Sequence, residues 1–196
     1  MKKYLFLHLA IFTLLLNCTS HALATTGDTG AATAYKVTIE QFEMFNGTSW
    51  VTVSSGNSTT IDIAAVNSGS AAGTFFAGLN VPDGSYTQVR VTVSSTFTIS
   101  GSVSTDGSAI YSTAALANGV CVSSSNASNQ AQCAVSVPGG LPAPTPDVLP
   151  STLTVTGGVP SHKIRVNFNV SAAVQETAGE GIAPGQPTVT MQMIAL

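Results

Sequence analysis

The chain has 196 residues, of which only 8% carry a charge, and nine acidic against six basic residues give a net charge of −3. An ordinary soluble domain has about 25% charged residues, so serine, threonine, glycine and asparagine supply most of the polarity here. Nucleic-acid binding needs a clustered basic footprint to neutralise phosphates, and this composition therefore excludes nucleic acid as an expected partner.

Residues 1–24 have the pattern of a Sec-type signal peptide that is removed on export. Two lysines precede a 13-residue apolar run ending at Leu16, and "HALA" ends at Ala24 with the small residues that a signal peptidase reads. The run is shorter than the about 20 residues of a membrane-spanning helix, so we expect no transmembrane segment after processing. Lipid attachment at Cys18 in "LLNC" is a minority alternative, because Asn17 stands where a lipoprotein signal has a small residue. We expect a protein of the periplasm, cell surface or extracellular space.

The mature chain, residues 25–196, suits one domain and retains four basic residues against nine acidic ones. Residues 25–34 are expected to form a flexible leader to a single domain over 35–196. Alternation from Tyr35 onward predicts a first strand. The apolar phase slips at Gln41, which indicates a β-bulge, and "NG" at 46–47 predicts a hairpin turn before "SWVTV".

Three further strand patterns follow in the first half. They are "TTIDIAAV" (59–66), "TFFAGLNV" (74–81) and "SYTQVRVTV" (85–93), and "TFTISGSV" (96–103) is either another strand or a bent extension of the last. In "VPDG", Pro82 and Gly84 predict a tight reversal. The hydroxyl of Tyr86, at the start of the next strand, is placed to tie a neighbouring loop as in a tyrosine corner.

Residues 35–99 resemble a family of bacterial secreted and lipoprotein domains of unknown function, which have an L-P-x-G-x-Y-T-Q-x-R signature. The residues that carry the resemblance are Pro82, Gly84, Tyr86, Thr87, Gln88 and Arg90. Two features depart from the family pattern: "VPDG" replaces the usual "LPAG", and a "TDAP"-like opening segment is missing. The resemblance implies a transthyretin-like or prealbumin-like β-sandwich in the cell envelope, and it supplies no catalytic residues.

Residues 101–150 are predicted to be a loop-rich insertion with a disulfide and a proline-rich crossing at 138–150, since the segment is rich in serine, alanine, asparagine and glycine. Cys121 and Cys133 form an even pair in an oxidising compartment. A redox pair would need closer spacing, and a zinc site would need more ligands nearby. We expect a structural disulfide, worth roughly 3 kcal/mol in the chain-entropy model.

The last third alternates again. "LTVTGGV" (153–159) predicts a strand with a Gly-Gly turn, and "HKIRVNFNV" (162–170) and "PTVTMQMIAL" (187–196) predict two more strands. "AAVQETAGE" (172–180) is the only plausible helical fragment. Seven to ten short alternating strands predict an all-β protein, an antiparallel Ig-like or transthyretin-like β-sandwich with Greek-key connections, long loops and one disulfide.

The chemistry-bearing residues argue against an enzyme. His162 is the only histidine of the mature chain, which disfavours histidine-dependent catalysis and multi-histidine metal sites. The carboxylates are scattered and offer no dense oxygen cluster for calcium, and no nucleophile or phosphate-binding motif occurs. We expect no catalytic residues, no metal and no cofactor.

Two sets of residues are candidates for binding. Arg90 and Arg165 each occupy the polar phase of an alternating strand, where they could pair with Asp62 or Glu40 across a sheet or recognise a carboxylate or sugar. Aromatic side chains could form a stacking platform for carbohydrate, although core packing is the competing interpretation. The aromatic candidates are Trp50, Phe75, Phe76 and Tyr86.

These observations predict an exported cell-envelope protein of structural or binding role without catalytic activity. Low charge and unprotected strand edges motivate one alternative, a surface adhesin or fibre subunit that self-associates. Exposed aromatics motivate a second, a carbohydrate-binding module. The expected partners are accordingly a second copy of the chain or an envelope glycan or protein.

Overall fold

The computed structural model describes residues 27–56, 58–65, 80–117, 119–177 and 181–196. The predicted signal peptide with Cys18, and most of the strand predicted at 74–81 with Phe75 and Phe76, lie outside these ranges. Within them, no helix is long and apolar enough to cross a membrane.

Apart from one 3-10 turn at Ala127–Asn129, every element in the described ranges is a β-strand, and every pairing is antiparallel. The strands in chain order are β1 (Thr29–Gly30), β2 (Ala32–Val37), β3 (Ile39–Phe45), β4 (Trp50–Ser55), β5 (Ile61–Asp62), β6 (Gly84–Val93), β7 (Thr96–Thr105), β8 (Ser108–Ala117), β9 (Val120–Ser124), β10 (Cys133–Ser136), β11 (Asp147–Thr156), β12 (Val159–Pro160), β13 (His162–Asn169), β14 (Val174–Thr177), β15 (Gly181–Pro184) and β16 (Thr188–Ala195). The predicted all-β antiparallel fold with one disulfide is confirmed.

The larger curled sheet runs in the order β1-β14-β15-β9-β8-β7-β2-β5, with β10 pairing to β7. Its core contains the fully buried rings of Tyr35 and Phe97, which meet edge to face with centroids 5.9 Å apart. The Tyr35 hydroxyl donates to the Gly185 carbonyl at 3.0 Å. This bond satisfies a polar atom that would otherwise be costly to bury.

The smaller sheet runs β12-β11-β6-β3-β4, and β13 and β16 form a separate two-stranded ribbon. Met44, Tyr86 and Leu153 belong to the core cluster of the smaller sheet, and Ile164 and Met193 from the ribbon pack against that cluster. The ribbon register sets the apolar faces of its two strands opposite one another, with the pairs Ile164–Met193, Val166–Met191 and Phe168–Val189. The alternation predicted for both strands is therefore observed in the pairing register, although Val166 is 41% exposed.

Two pairs of consecutive strands, β2–β3 and β6–β7, each carry the chain from one sheet to the other. β2 belongs to the larger sheet and β3 to the smaller, and the chain changes sheets at Thr38; β6 and β7 do the same at Ser94 and Ser95. The two hinges lie side by side, since the Ser94 N–H donates to the Thr38 carbonyl at 2.9 Å. The predicted bulge is confirmed beside this hinge, because the pairing of β3 with β6 shifts register between Ile39 and Gln41.

The segment predicted as a loop-rich insertion, 101–150, contains more regular structure than expected. The end of β7, all of β8, β9 and β10 and the start of β11 lie in it. The buried positions of these strands hold few large apolar side chains, among them Val103, Val120 and Val135. Serine and threonine occupy many of the positions that point outward. Small residues weaken the apolar alternation in the sequence without weakening the strand. Pro150 lies inside β11 where the ladder to β6 is interrupted, between Val148 and Leu153.

Two other segments also differ from expectation. The leader predicted at 25–34 includes β1 and the start of β2, where Gly30 lies so close to Ser102 that a Cβ would meet its backbone carbonyl. The predicted helical fragment at 172–180 is wrong, because Val174–Thr177 is strand β14. Val174 and Thr177 are buried there, and the strand pairs with β15 along its whole length.

Candidate functional site

The outer face of the smaller sheet carries a cluster of aromatic and charged side chains, which we call the Trp50 cluster: Glu43, Phe45, Trp50 and Arg90. Register sets Glu43 opposite Arg90 and Phe45 opposite Trp50. Met44, between the two β3 members, is buried in the core. Because successive side chains of a strand point to opposite faces, Glu43 and Phe45 lie on the face away from that core.

Arg90 and Glu43 form a bidentate ion pair. The Arg90 Nε donates to Glu43 Oε2, and its second nitrogen, Nη2, donates to Oε1 at 2.8 Å. The exposed fraction of the side chain is 30% for Arg90 and only 9% for Glu43. The guanidinium hydrogen bond holds the pKa of Glu43 below its ordinary value and raises that of Arg90. Among the described residues this is the only ion pair.

The same guanidinium lies over an aromatic ring. The Arg90 Cζ is 4.4 Å from the Trp50 ring centroid, and the Phe45 ring lies 5.3 Å from Trp50 at an interplanar angle of 44°. Arg90 is thus held both by a carboxylate and by a ring face, within the distance of a cation–π interaction. One face of the indole is covered, and Trp50 as a whole remains half-buried.

Neutral polar side chains border the cluster. Thr52 is exposed beside Trp50 and accepts a long hydrogen bond from Gln41 Nε2 at 3.5 Å, and Gln88 lies opposite Phe45. The cluster has no net formal charge because Arg90 and Glu43 offset one another. An apolar ring surface with a rim of neutral donors and acceptors suits an uncharged polar ligand better than an ion.

Of the six candidate binding residues, Phe75 and Phe76 lie outside the described ranges, and the structure brings together two of the other four. Trp50 and Arg90 are in contact, whereas Tyr86 is 1% exposed in the core on the opposite face. Its hydroxyl donates to the Pro82 carbonyl at 2.8 Å, which confirms the predicted tie to the preceding loop. Arg165 is exposed on the ribbon opposite Gln192, with no described contact to the Trp50 cluster.

The predicted partners of the arginines are wrong. Arg90 pairs with Glu43 rather than with Asp62 or Glu40. Asp62 Oδ1 instead accepts hydrogen bonds from the backbone N–H groups of Tyr35 and Ala64, at 2.9 and 3.1 Å. The carboxylate of Asp62 therefore orders the chain around β5.

Asp83 has a role that the sequence analysis missed. Its two carboxylate oxygens accept from the backbone N–H groups of Gly157 and Gly158, each at 2.8 Å. Both glycines have positive φ, 59° and 75°, as the predicted Gly-Gly turn requires. The N–H of Gly158, and then that of Gly157, hold the pKa of Asp83 below its ordinary value. The aspartate that departs from the family's "LPAG" therefore connects this loop to the β11–β12 turn.

Asp147 is the second carboxyl that the sequence analysis missed. It is 6% exposed at the start of β11, opposite Val89, and the alternation of buried and exposed residues places it on the same face as Leu149. Its Oδ2 has no hydrogen-bond partner. Desolvation raises the pKa of Asp147 to about 7. In "DVL" the aspartate stands in the apolar phase, which is the signal that could have revealed its burial.

The predicted disulfide is confirmed between Cys121 in β9 and Cys133 in β10. Both residues are buried in the core of the larger sheet. In the described ranges, no group of three or more histidine, cysteine, aspartate or glutamate side chains is arranged to bind a metal ion.

Comparison with known proteins gives a family match. The family model described as a domain of unknown function (DUF4382) matches residues 28–182. No curated protein and no solved structure matches the chain. The matched range extends well beyond the resemblance at 35–99, and it includes the Trp50 cluster, the disulfide and the proline-rich crossing.

Proposed function

The chain belongs to the DUF4382 family of domains of unknown function, and on that premise we propose that it is a non-catalytic, exported protein of the bacterial cell envelope with a binding role. The observation that carries this proposal is the Trp50 cluster. It leaves part of a tryptophan accessible on a rigid sheet, with its neighbours already fixed by hydrogen bonds and ring contacts. A rigid, pre-organised aromatic surface lowers the entropy cost of binding.

The state of the carboxyl groups supports a binding role over a catalytic one. A general acid or base works best with a pKa near the operating pH, and the pKa of Glu43 is lowered by Arg90. Asp147 has a pKa of about 7, but its carboxyl is 6% exposed beside Val89 and Leu149 in an apolar interior. Neither group therefore combines a suitable pKa with access for a substrate.

We infer that the ligand is an uncharged glycan or a neutral polar segment of an envelope protein. Arg90 already has its charge offset by Glu43, so an acidic ligand would have to displace a bidentate partner. A sugar ring could instead lie against the accessible part of Trp50 while its hydroxyls bond to the neutral rim at Thr52 and Gln88.

Glycan binding by the mature chain, residues 25–196, tests this proposal. We expect wild-type protein to bind members of an array of neutral envelope glycans, and Trp50→Ala to weaken that binding by about tenfold or more, equivalent to about 1.4 kcal/mol. Val159→Ala is the matched control, since Val159 is 66% exposed on the edge strand of the same sheet. Wild-type protein that binds no glycan, or an equal loss in both variants, contradicts a glycan ligand.

Two further measurements test the remaining parts of the proposal. Mass spectrometry of glycans after incubation with the protein should show no cleavage, and a new product would refute a non-catalytic role. Mass spectrometry of the N-terminus should find a free Thr25 in the exported protein. A diacylglyceryl-modified Cys18 would instead show that the protein is a lipoprotein.

A further inference from the structure

Among the described strands, β4 lies at one edge of the smaller sheet. It pairs with β3 on one side, and no described strand pairs with it on the other. It is six residues long, with the sequence WVTVSS, and contains neither a charged residue nor a proline. A strand of this kind presents a row of unpaired backbone donors and acceptors. It lacks two of the devices that usually block further pairing, charge and proline, and it has a third, a β-bulge at Val53, where the register with β3 shifts.

Most other strand edges in the described part of the chain are short or guarded. At the opposite edge of the smaller sheet, β12 has two residues, one of which is Pro160. The outer strands of the larger sheet, β1 and β5, have two residues each. In the ribbon, β13 carries Lys163 and Arg165. Among the described edge strands, β16 is also long and uncharged, but it belongs to a two-stranded ribbon rather than to a larger sheet.

The hairpin register shows which backbone groups of β4 point outward. The Asn46 N–H donates to the Ser49 carbonyl at 3.1 Å, which makes this a hydrogen-bonded pair. Bonded and non-bonded pairs alternate in an antiparallel ladder. The pairs Phe45–Trp50 and Glu43–Thr52 are therefore non-bonded, and the N–H and C=O groups of Trp50 and Thr52 face the open edge.

We propose that β4 pairs antiparallel with β4 of a second copy of this chain, with Thr52 on the two-fold axis. The two Thr52 residues would then form a hydrogen-bonded pair through their outward-facing backbone groups. A shift of one residue would place Val53 on the axis instead. The backbone N–H and C=O groups of Val53 do not belong to the set that faces the edge. In the Thr52 register Trp50 lies opposite Ser54 of the second copy, which follows the bulge at Val53, and the two five-stranded sheets join into one.

The side chains of β4 are compatible with this pairing. Val51 lies opposite Val53 of the second copy, and both valines pack against the core of the smaller sheet, so the apolar faces of the two copies match. The edge has no charge to repel its copy, and the charges nearest to it, on Glu43 and Arg90, offset one another. A strand that is neutral and self-complementary suits a two-fold interface, and the proposal is independent of glycan binding.

The test is a charge-swap experiment on the mature, disulfide-bonded chain, read out by sedimentation equilibrium at low salt. Wild-type protein should be dimeric, and Thr52→Lys and Thr52→Glu alone should each weaken dimerisation about tenfold or more, because like charges would meet on the axis. An equimolar mixture of the two variants should restore the dimer. The mixture is the decisive measurement. Either variant alone also disturbs Glu43, which lies opposite position 52, so weaker dimerisation of a single variant has two explanations.

Thr190→Lys on the exposed face of β16 is the matched control and should leave the dimer intact. Circular dichroism identifies any variant that fails to fold, and the mixture is prepared only from folded variants. A monomeric wild type at millimolar concentration would overturn the proposal. So would a dimer that Thr190→Lys abolishes, or a mixture of the two position-52 variants that stays monomeric.

Discussion

Replacing Asp147 by asparagine should remove most of the pH dependence of stability between pH 5 and 8. The side chain is buried on the apolar face of β11, and its Oδ2 has no hydrogen-bond partner. Asparagine keeps the shape of the side chain and cannot ionise. The substitution therefore separates the cost of a buried charge from the cost of an altered core.

The expected size follows from linkage between folding and protonation. Burial raises the pKa of Asp147 from 3.8 to about 7, so between these values the folded protein holds a proton that the unfolded chain releases. The free energy of unfolding therefore falls as the pH rises through this range and levels off above pH 7. At 1.36 kcal/mol per pKa unit the full shift corresponds to about 4 kcal/mol, and solvent screening and relaxation reduce this to roughly 2 kcal/mol.

Urea denaturation at pH 5, 6.5 and 8, followed by the fluorescence of the single tryptophan, is the measurement. At pH 8 the Asp147→Asn variant should be more stable than wild type by about 2 kcal/mol, or roughly 4–8 °C in Tm for a chain of this length. At pH 5, which is above the unfolded pKa of 3.8, the difference should shrink to about a third of that value. Asp106→Asn is the control, because Asp106 is exposed with φ 49°, a conformation that asparagine tolerates. If Asp147→Asn keeps the wild-type slope between pH 5 and 8, the assignment to this buried carboxyl is refuted.

Three other predictions concern the contacts that stabilise the fold. A double-mutant cycle with Arg90→Ala and Glu43→Gln should give a coupling of about 1–2 kcal/mol in denaturant unfolding. Because the pKa of Glu43 is lowered, this coupling is present above the ordinary pKa of 4.5 and is lost as the pH falls through the folded value; zero coupling at pH 7 would contradict the bidentate geometry. Replacing both Cys121 and Cys133 by serine should lower the free energy of unfolding by roughly 3 kcal/mol, and wild type under reducing conditions should lose a similar amount. Tyr86→Phe should cost about 1 kcal/mol through the lost hydroxyl bond and leave glycan binding unchanged, whereas a large loss of binding would place this ring at the ligand.

The sequence was most informative where large apolar residues alternate or where backbone geometry demands a residue type. Ile164 and Phe168 alternate clearly, and their strand and its face are as predicted. Asn46 accepts hydrogen bonds from the backbone of the following turn, as expected for "NG". The Tyr86 hydroxyl ties the preceding loop as in a tyrosine corner. Each of these features depends on neighbours close in sequence, and their local pattern is therefore sufficient.

Features that depend on distant pairing were not predictable in this way. Arg90 lies opposite Glu43 because the pairing of β3 with β6 shifts register. The sequence pattern within either strand does not show in which direction the register shifts. Asp83 meets the turn at Gly157 only because β6 and β11 are neighbours. Strands β8 and β9 use small residues at many positions, so their alternation is weak although they pair with one another on both sides of a register shift between Ser112 and Leu116.

The two strands that change sheets at Thr38 and Ser94 have a consequence for how the chain folds and unfolds. β2 and β7 pair in the larger sheet, and their continuations β3 and β6 pair in the smaller sheet. At the bend, the Ser94 N–H donates to the Thr38 carbonyl and connects the two chain segments. Loss of either sheet would therefore free one end of both chain segments, which continue into the other sheet. Although the protein has two hydrophobic cores, we expect them to form a single cooperative unit, with one unfolding transition and no fragment that is stable alone.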